Sequence, residues 1–145
     1  MEKVLDLYQE PMDINEPLIT MDELNKQLTK EVRTPISPQT GSCEKYDFEY
    51  ERNGTANIFM LYAPHTNWRD VKVTDQRTAK DWAELMHDLV YVHFPTATKI
   101  KLVMDNLNTH KLGSLYKAYK PEVARYIASK LDIYYTPVHG SWLNI

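Results

Sequence analysis

Two aspartates in this sequence directly follow short apolar runs that are typical of buried β-strands. Asp22 follows Pro17–Met21, and Asp105 follows Ile100–Met104. If the two strands are parallel neighbours, their carboxyl ends meet at the edge of the sheet where open α/β sheets hold their sites. Carboxylates a few ångströms apart raise each other's pKa unless a cation neutralises them, and Mg²⁺ takes carboxylate ligands. Two such ions about 3.5–4 Å apart suit the cleavage and transfer of phosphodiesters.

The loop after Asp105 carries polar groups that suit the same chemistry. Asn106 supplies an amide and His110 an imidazole, and either can orient a phosphate or a water. Spacing alone leaves a structural alternative open, because an acid after a strand is also an ordinary helix cap or turn residue. For His110 the alternative is a loop histidine that is hydrogen-bonded to the backbone.

Four further residues have both a functional and a structural interpretation. Lys111, in a locally basic stretch, and His139, after the last predicted strand, are candidates for contacts with a DNA phosphate. The alternative for the basic stretch is a solvated helix face. Glu23 points away from Asp22, because successive strand residues face opposite sides, and we expect a solvated acid in preference to a contact behind the site. We expect Trp142 to be a packing anchor.

The elements that must position these residues begin with an antiparallel group. Alternating residues predict strands over Tyr46–Glu51 and Ala56–Tyr62, and Asn53-Gly54 between them is typical of a type I′ hairpin. Pro64–Asn67 predicts a second turn, and Val71–Val73 a third strand. The three strands would form an antiparallel meander.

A second group of elements alternates helices with strands. A helix is predicted after Thr78, where Asp81 completes a variant of the capping box, and a strand at Ile100–Met104. A further helix is predicted from Pro121 to Leu131, followed by a strand at Asp132–Thr136. Together with the meander, these elements predict an α/β fold with a mixed sheet flanked by helices.

Length and composition predict one domain in a reducing compartment. The chain has 145 residues, with 17 Lys and Arg against 20 Asp and Glu, and a net charge of −3. Residues 1–16 are predicted to be a connecting arm, residues 17–145 the domain, and Lys30–Cys43 a long loop. The single cysteine and the lack of a leader over Met1–Glu10 favour a cytoplasmic location, and no apolar run reaches the roughly 20 residues of a membrane span. The acidic balance argues weakly against a nucleic-acid partner.

Five segments along nearly the whole chain carry recognisable motifs: Thr20–Glu23, Asn53–Thr55, Arg77–Trp82, Val103–His110 and Thr136–Asn144. In this order they resemble the catalytic domain of bacterial insertion-sequence transposases of the mariner-like superfamily. The resemblance implies an RNase H-like fold, DNA cleavage with strand transfer, and two Mg²⁺ or Mn²⁺ ions held by a triad of acids. Asp22 matches the first aspartate of the triad and Asp105 the second, each as a metal ligand. It also implies DNA as a partner, self-assembly such as a homodimer, and action at the bacterial nucleoid.

The sequence departs from this family at both ends. The family's third acid follows the Gly-Ser-Trp-Leu-Asn motif within a few residues, and no residue up to Ile145 matches it. The family's N-terminal DNA-binding region has no counterpart either. We therefore expect a fragment of a transposase with little or no strand-transfer activity of its own. Two alternatives stay open, a non-catalytic remnant that serves as a folding or dimerisation module, and an RNase H-like nuclease that cleaves RNA/DNA hybrids.

Overall fold

The computed structural model describes residues 2–138 and 140–143, apart from the side chain of Ser141. Its helices and strands follow in the order α1 (Glu2–Gln9), β1 (Leu18–Glu31), β2 (Tyr50–Ala63), β3 (Trp68–Thr74), α2 (Ala79–Asp88), β4 (Ile100–Met104), α3 (Leu112–Ala118), α4 (Pro121–Lys130) and β5 (Leu131–Tyr135). A π-helical turn, Leu89–His93, extends α2, and a 3₁₀ turn, Ser141–Leu143, follows β5. None of the described helices is long and apolar enough to cross a membrane.

The five strands form one sheet in the order β3-β2-β1-β4-β5. β1, β2 and β3 pair antiparallel as a meander, whereas β4 pairs parallel with both β1 and β5. α2 lies in the connection between β3 and β4, and α3 and α4 lie in the connection between β4 and β5. The predicted fold class, an α/β fold with a mixed sheet of an antiparallel three-strand meander and parallel strands flanked by helices, is confirmed.

Both faces of the parallel half of the sheet are buried. On one face, which we call the helical face, α2, α3 and α4 cover a core that includes Met21 and Trp82. On the other face, α1 packs against Leu18 and Val103. The hydroxyl of Tyr8 in α1 also donates a hydrogen bond to the carbonyl of Leu143, at 2.6 Å. The parallel strands are therefore held from both sides.

Two short helices lie outside what the sequence predicts. The expectation that residues 1–16 hold no regular element is wrong for α1, which buries Val4 and Leu7. α3 has no counterpart among the predicted elements and buries only Ser114 and Leu115. Helices this short are marginal in water on their own, so packing against the sheet and neighbouring helices stabilises them more than their local sequence does. The division into an arm and a domain stays a prediction.

Asn53-Gly54 lies inside β2, and the prediction of a hairpin turn there is wrong. The two residues together oppose Leu28 of β1, which makes a β-bulge in which Gly54 has a φ of +87°. The connection between β1 and β2 is instead the loop over residues 32–49. β1 thus takes the place in the meander that the alternating pattern assigned to Tyr46–Glu51.

Candidate metal centre

Asp22 and Asp105 stand at equivalent positions on neighbouring strands. The last residues paired between β1 and β4 are Thr20 and Val103, and each aspartate lies two residues further along its strand direction. Asp105 follows the end of β4, but β1 continues past Asp22, which pairs with Met60 of β2. The prediction that the first strand ends at Asp22 is therefore wrong. What ends there is the parallel pairing, and this brings the two aspartates to one edge of the parallel half.

Both carboxylates reach solvent. Asp22 is exposed, and the side chain of Asp105 is 26% exposed. Because side chains alternate along a strand, Asp22 shares a face with Leu18, against which α1 packs, and Glu23 shares the helical face with Met21. The position of Asp22 and Asp105 thus leaves the carboxylates accessible to a cation and to a substrate.

His110 is completely buried directly behind Asp105. Its Nδ1 lies 3.2 Å from Oδ1 of Asp105. Its ring stacks on Trp82, with the ring planes 24° apart, and packs at a tilt against Phe59. A ring without exposed surface has no area for a DNA phosphate. A contact behind the site fits this placement.

Glu23 lies on the other side of the same imidazole. Its side chain is 5% exposed, with Oε1 2.5 Å from Nη1 of Arg77 and Oε2 3.2 Å from Nε2 of His110. The second contact has the distance of an ion pair but lacks hydrogen-bond geometry. Burial raises the pKa of Glu23 and is the largest single cause, but the polar contacts and charges of His110 and Arg77 together outweigh it, so the pKa lies below its usual 4.5. The expectation of a solvated acid is wrong.

The remaining residues singled out from the sequence are Asn106, Lys111, His139 and Trp142. Asn106 and Lys111 are exposed beside Asp105, and Nζ of Lys111 donates to the side-chain oxygen of Asn108 at 3.3 Å. Their contacts with a phosphate stay predictions. His139 lies outside the described residues. Trp142 is 67% exposed, so the prediction that it is a packing anchor is wrong.

Asp22 and Asp105 fit a hard divalent cation as a pair of oxygen ligands. Mg²⁺ is usually bound through one or two carboxylates, with waters and substrate phosphate oxygens completing the shell. Within residues 2–138 and 140–143, no group of three or more His, Cys, Asp or Glu side chains could hold a metal ion. A cation held by these two aspartates would take the rest of its coordination from water and substrate.

One solved structure and one family model are similar to this chain. The chain is similar to a chain in the crystal structure of the Mos1 mariner paired end complex with Mn, at 12% sequence identity and a TM-score of 0.49. The likeness covers 91% of this chain and 39% of that one, so this chain spans about two fifths of the Mos1 chain. No curated protein matches the sequence. The model of the DDE superfamily endonuclease family matches residues 17–145, and the chain therefore belongs to that family.

Proposed function

We propose that this chain is the catalytic domain of a DDE transposase, which cleaves DNA phosphodiesters at transposon ends and transfers the cut strand. The observation that carries the proposal is the equivalent register of Asp22 and Asp105 where the parallel pairing of β1 and β4 ends. Membership of the endonuclease family supports the class of reaction. The sequence motifs support the narrower assignment to an insertion sequence.

In this proposal Asp22 and Asp105 are ligands of two Mg²⁺ or Mn²⁺ ions, not general bases. The bound ions would activate a water or a 3′-hydroxyl on one side of the phosphorus and stabilise the leaving oxygen on the other. Asp105 holds its position because it directly follows β4, the middle strand of the parallel half. Asp22 holds its position because β1 pairs with β4 up to Thr20 and with β2 from Thr20 onwards.

DNA is the proposed partner, and Asn106 and Lys111 are the proposed contacts to its backbone. Both side chains are exposed in the segment that follows Asp105. The net charge of −3 is compatible with this role, because divalent ions would neutralise the two aspartates. A homodimer or another self-assembly is proposed on the sequence resemblance alone.

Metal binding by the purified chain tests the ligands without requiring turnover. We would titrate the wild-type chain, Asp22→Asn and Asp105→Asn with Mn²⁺ and follow the free ion by electron paramagnetic resonance. Each substitution should weaken binding by more than about tenfold. The matched control is Asp132→Asn, because Asp132 pairs with Lys101 of β4, four residues before Asp105, and contacts the exposed Lys99. Wild-type affinity in both folded ligand variants would contradict the proposal.

A cleavage assay separates the proposed reaction from the nuclease alternative. With Mg²⁺ present, we would compare duplex DNA with an RNA/DNA hybrid of the same sequence. Nicking of DNA that is lost in Asp105→Asn supports the transposase assignment. Preferential cleavage of the hybrid would favour an RNase H-like nuclease.

A further inference from the structure

A row of buried polar side chains lies behind Asp105, and the proposed chemistry does not use it. The row runs from Asp105 to His110, then to Glu23, and ends at Arg77, with successive contacts of 3.2, 3.2 and 2.5 Å. His110 has no exposed surface and the side chain of Glu23 is 5% exposed, whereas the side chain of Arg77 is 48% exposed. The row therefore leads from the candidate metal centre through the edge of the core to the surface.

Burying this row of polar side chains, rather than apolar ones, lowers the free energy of unfolding, so a contribution to stability does not explain it. Glu23 Oε2, His110 Nε2 and Trp82 Nε1 are buried without a hydrogen-bond partner among the described residues. Buried polar atoms are rarely left unpaired, and apolar side chains of similar size would often fill such a space at lower cost. A buried polar cluster with unpaired atoms next to a candidate site calls for a functional explanation.

The backbone and the neighbouring rings fix His110 in place. The backbone N–H of His110 donates to the carbonyl of Leu107 at 3.0 Å. The backbone carbonyl of His110 accepts a hydrogen bond from the hydroxyl of Tyr135 at 3.2 Å. Trp82 stacks on one side of the ring. Arg77, at the other end of the row, directly precedes Thr78, whose capping box fixes the start of α2. Backbone hydrogen bonds therefore hold the segment that carries His110, and the capping box holds the residue next to Arg77.

We propose that His110 is a positioning residue that orients the Asp105 carboxylate towards its cation, and that Glu23, anchored by Arg77, orients His110. The imidazole engages Oδ1 of Asp105. Among the described residues none hydrogen-bonds to Oδ2, so that oxygen is available to a cation. Groups that hold a metal ligand from behind fix its direction and raise its affinity for the ion. The inference rests on the proposed function, since it requires Asp105 to be a ligand.

Manganese affinity measured in matched variants tests the row. We would compare the wild-type chain with His110→Gln, Glu23→Gln and Asp105→Asn, after checking each fold by circular dichroism. His110→Gln and Glu23→Gln should each weaken binding by about 10- to 100-fold. The control is Glu122→Gln, because Glu122 is exposed in the first turn of α4. His110→Gln should add little to the loss in an Asp105→Asn background, because its effect acts through Asp105.

A spectroscopic signature separates positioning from mere stability. The ¹⁵N signals of the His110 ring should shift when Mg²⁺ is added to the wild-type chain and should not shift in Asp105→Asn. If His110→Gln and Glu23→Gln fold and bind Mn²⁺ as the wild type does while Asp105→Asn does not, positioning is overturned and the ligand assignment stands. If Asp105→Asn itself binds as the wild type does, both proposals fail. If the row variants do not fold, the wild-type chain still provides a test. Unchanged ¹⁵N signals of the His110 ring on addition of Mg²⁺ would contradict the proposed positioning role of His110.

Discussion

The two halves of β1 lie in different environments although they form one continuous strand. Residues 18–21 are buried. Residues 18–20 pair with β4, and pairing with β2 begins at Thr20. From Leu24 onwards the strand pairs with β2 alone, and Leu24 and Leu28 are 52% and 42% exposed. Asp22 and Glu23 stand at the boundary. The candidate site thus lies where the sheet changes from a part covered on both faces to a two-sided exposed ribbon, so the two aspartates are held by strand pairing and remain accessible to solvent.

The largest effect is expected in the covered half. Met21 has no exposed surface and belongs to the core on the helical face. Met21→Ala should lower the free energy of unfolding by about 2–5 kcal/mol, because burial is lost and a cavity remains. Urea denaturation followed by circular dichroism measures this. A loss below about 1 kcal/mol would mean that this half is less tightly packed than its burial indicates.

A smaller, pH-dependent effect is expected at the boundary. The folded pKa of Glu23 is lowered, so its ionised form stabilises the fold above the unfolded pKa near 4.5, and this contribution is lost as the pH falls through the folded value. Glu23→Gln should therefore lower the free energy of unfolding by about 1–3 kcal/mol at pH 7. The difference from the wild type should shrink below pH 4.5. Urea denaturation at pH 7 and pH 3.5 compares the two, and an unchanged difference would contradict the role of the charge.

Replacing glycine by alanine should change the free energy of unfolding in opposite directions at two positions, one in the open ribbon and one in a helix. Gly54 has a φ of +87° in the open ribbon, so Gly54→Ala should cost about 1–2 kcal/mol. Gly113 lies in α3 without positive φ and with open space around it, so Gly113→Ala should stabilise by about 0.4–1 kcal/mol. Thermal unfolding of both variants measures the signs. A neutral Gly54→Ala would show that the bulge is not fixed in solution.

The smallest effect is expected at the far end of the ribbon. Leu28 is 42% exposed opposite the bulge. Leu28→Ala should change the free energy of unfolding by no more than about 0.5 kcal/mol, since little apolar area is lost. The same urea assay as for Met21→Ala compares the two halves directly. A loss as large as that of Met21→Ala would remove the distinction between them.

Local patterns in the sequence were sufficient for elements that carry their own signals. The capping box at Thr78 correctly predicts the start of α2, and the apolar run before Asp105 coincides with β4. The turn signal of Asn53-Gly54 correctly predicts a positive φ at Gly54 but not at Asn53, and pairing with the distant β1 places the two residues in a bulge instead of a turn. α1 has only 8 residues, so it is too short to be stable without the sheet on which it packs.

The candidate site likewise has one part that local sequence patterns predict and one part that depends on contacts between distant residues. Asp22 and Asp105 could be predicted as neighbours because each follows an apolar run, and the carboxyl ends of parallel pairings meet at one edge of a sheet. The burial of Glu23 could not be predicted, because it depends on Arg77 and His110. These two residues are remote from Glu23 in sequence and contact it only in the folded chain. Long-range polar contacts of this kind leave no periodic pattern.

The position of β1 at the centre of the sheet also has a consequence for the order of folding. β2 and β3 are joined by a short turn, whereas the pairing of Thr20 with Val103 must close most of the chain into a loop. Long loops lose more chain entropy on closure, so we expect the β2–β3 hairpin to form early and the parallel strands late. Pulse-labelled hydrogen exchange during refolding should protect the amides of β3 before those of β4. The two aspartates would then meet only in the last steps of folding, so partly folded chains would carry no assembled metal centre.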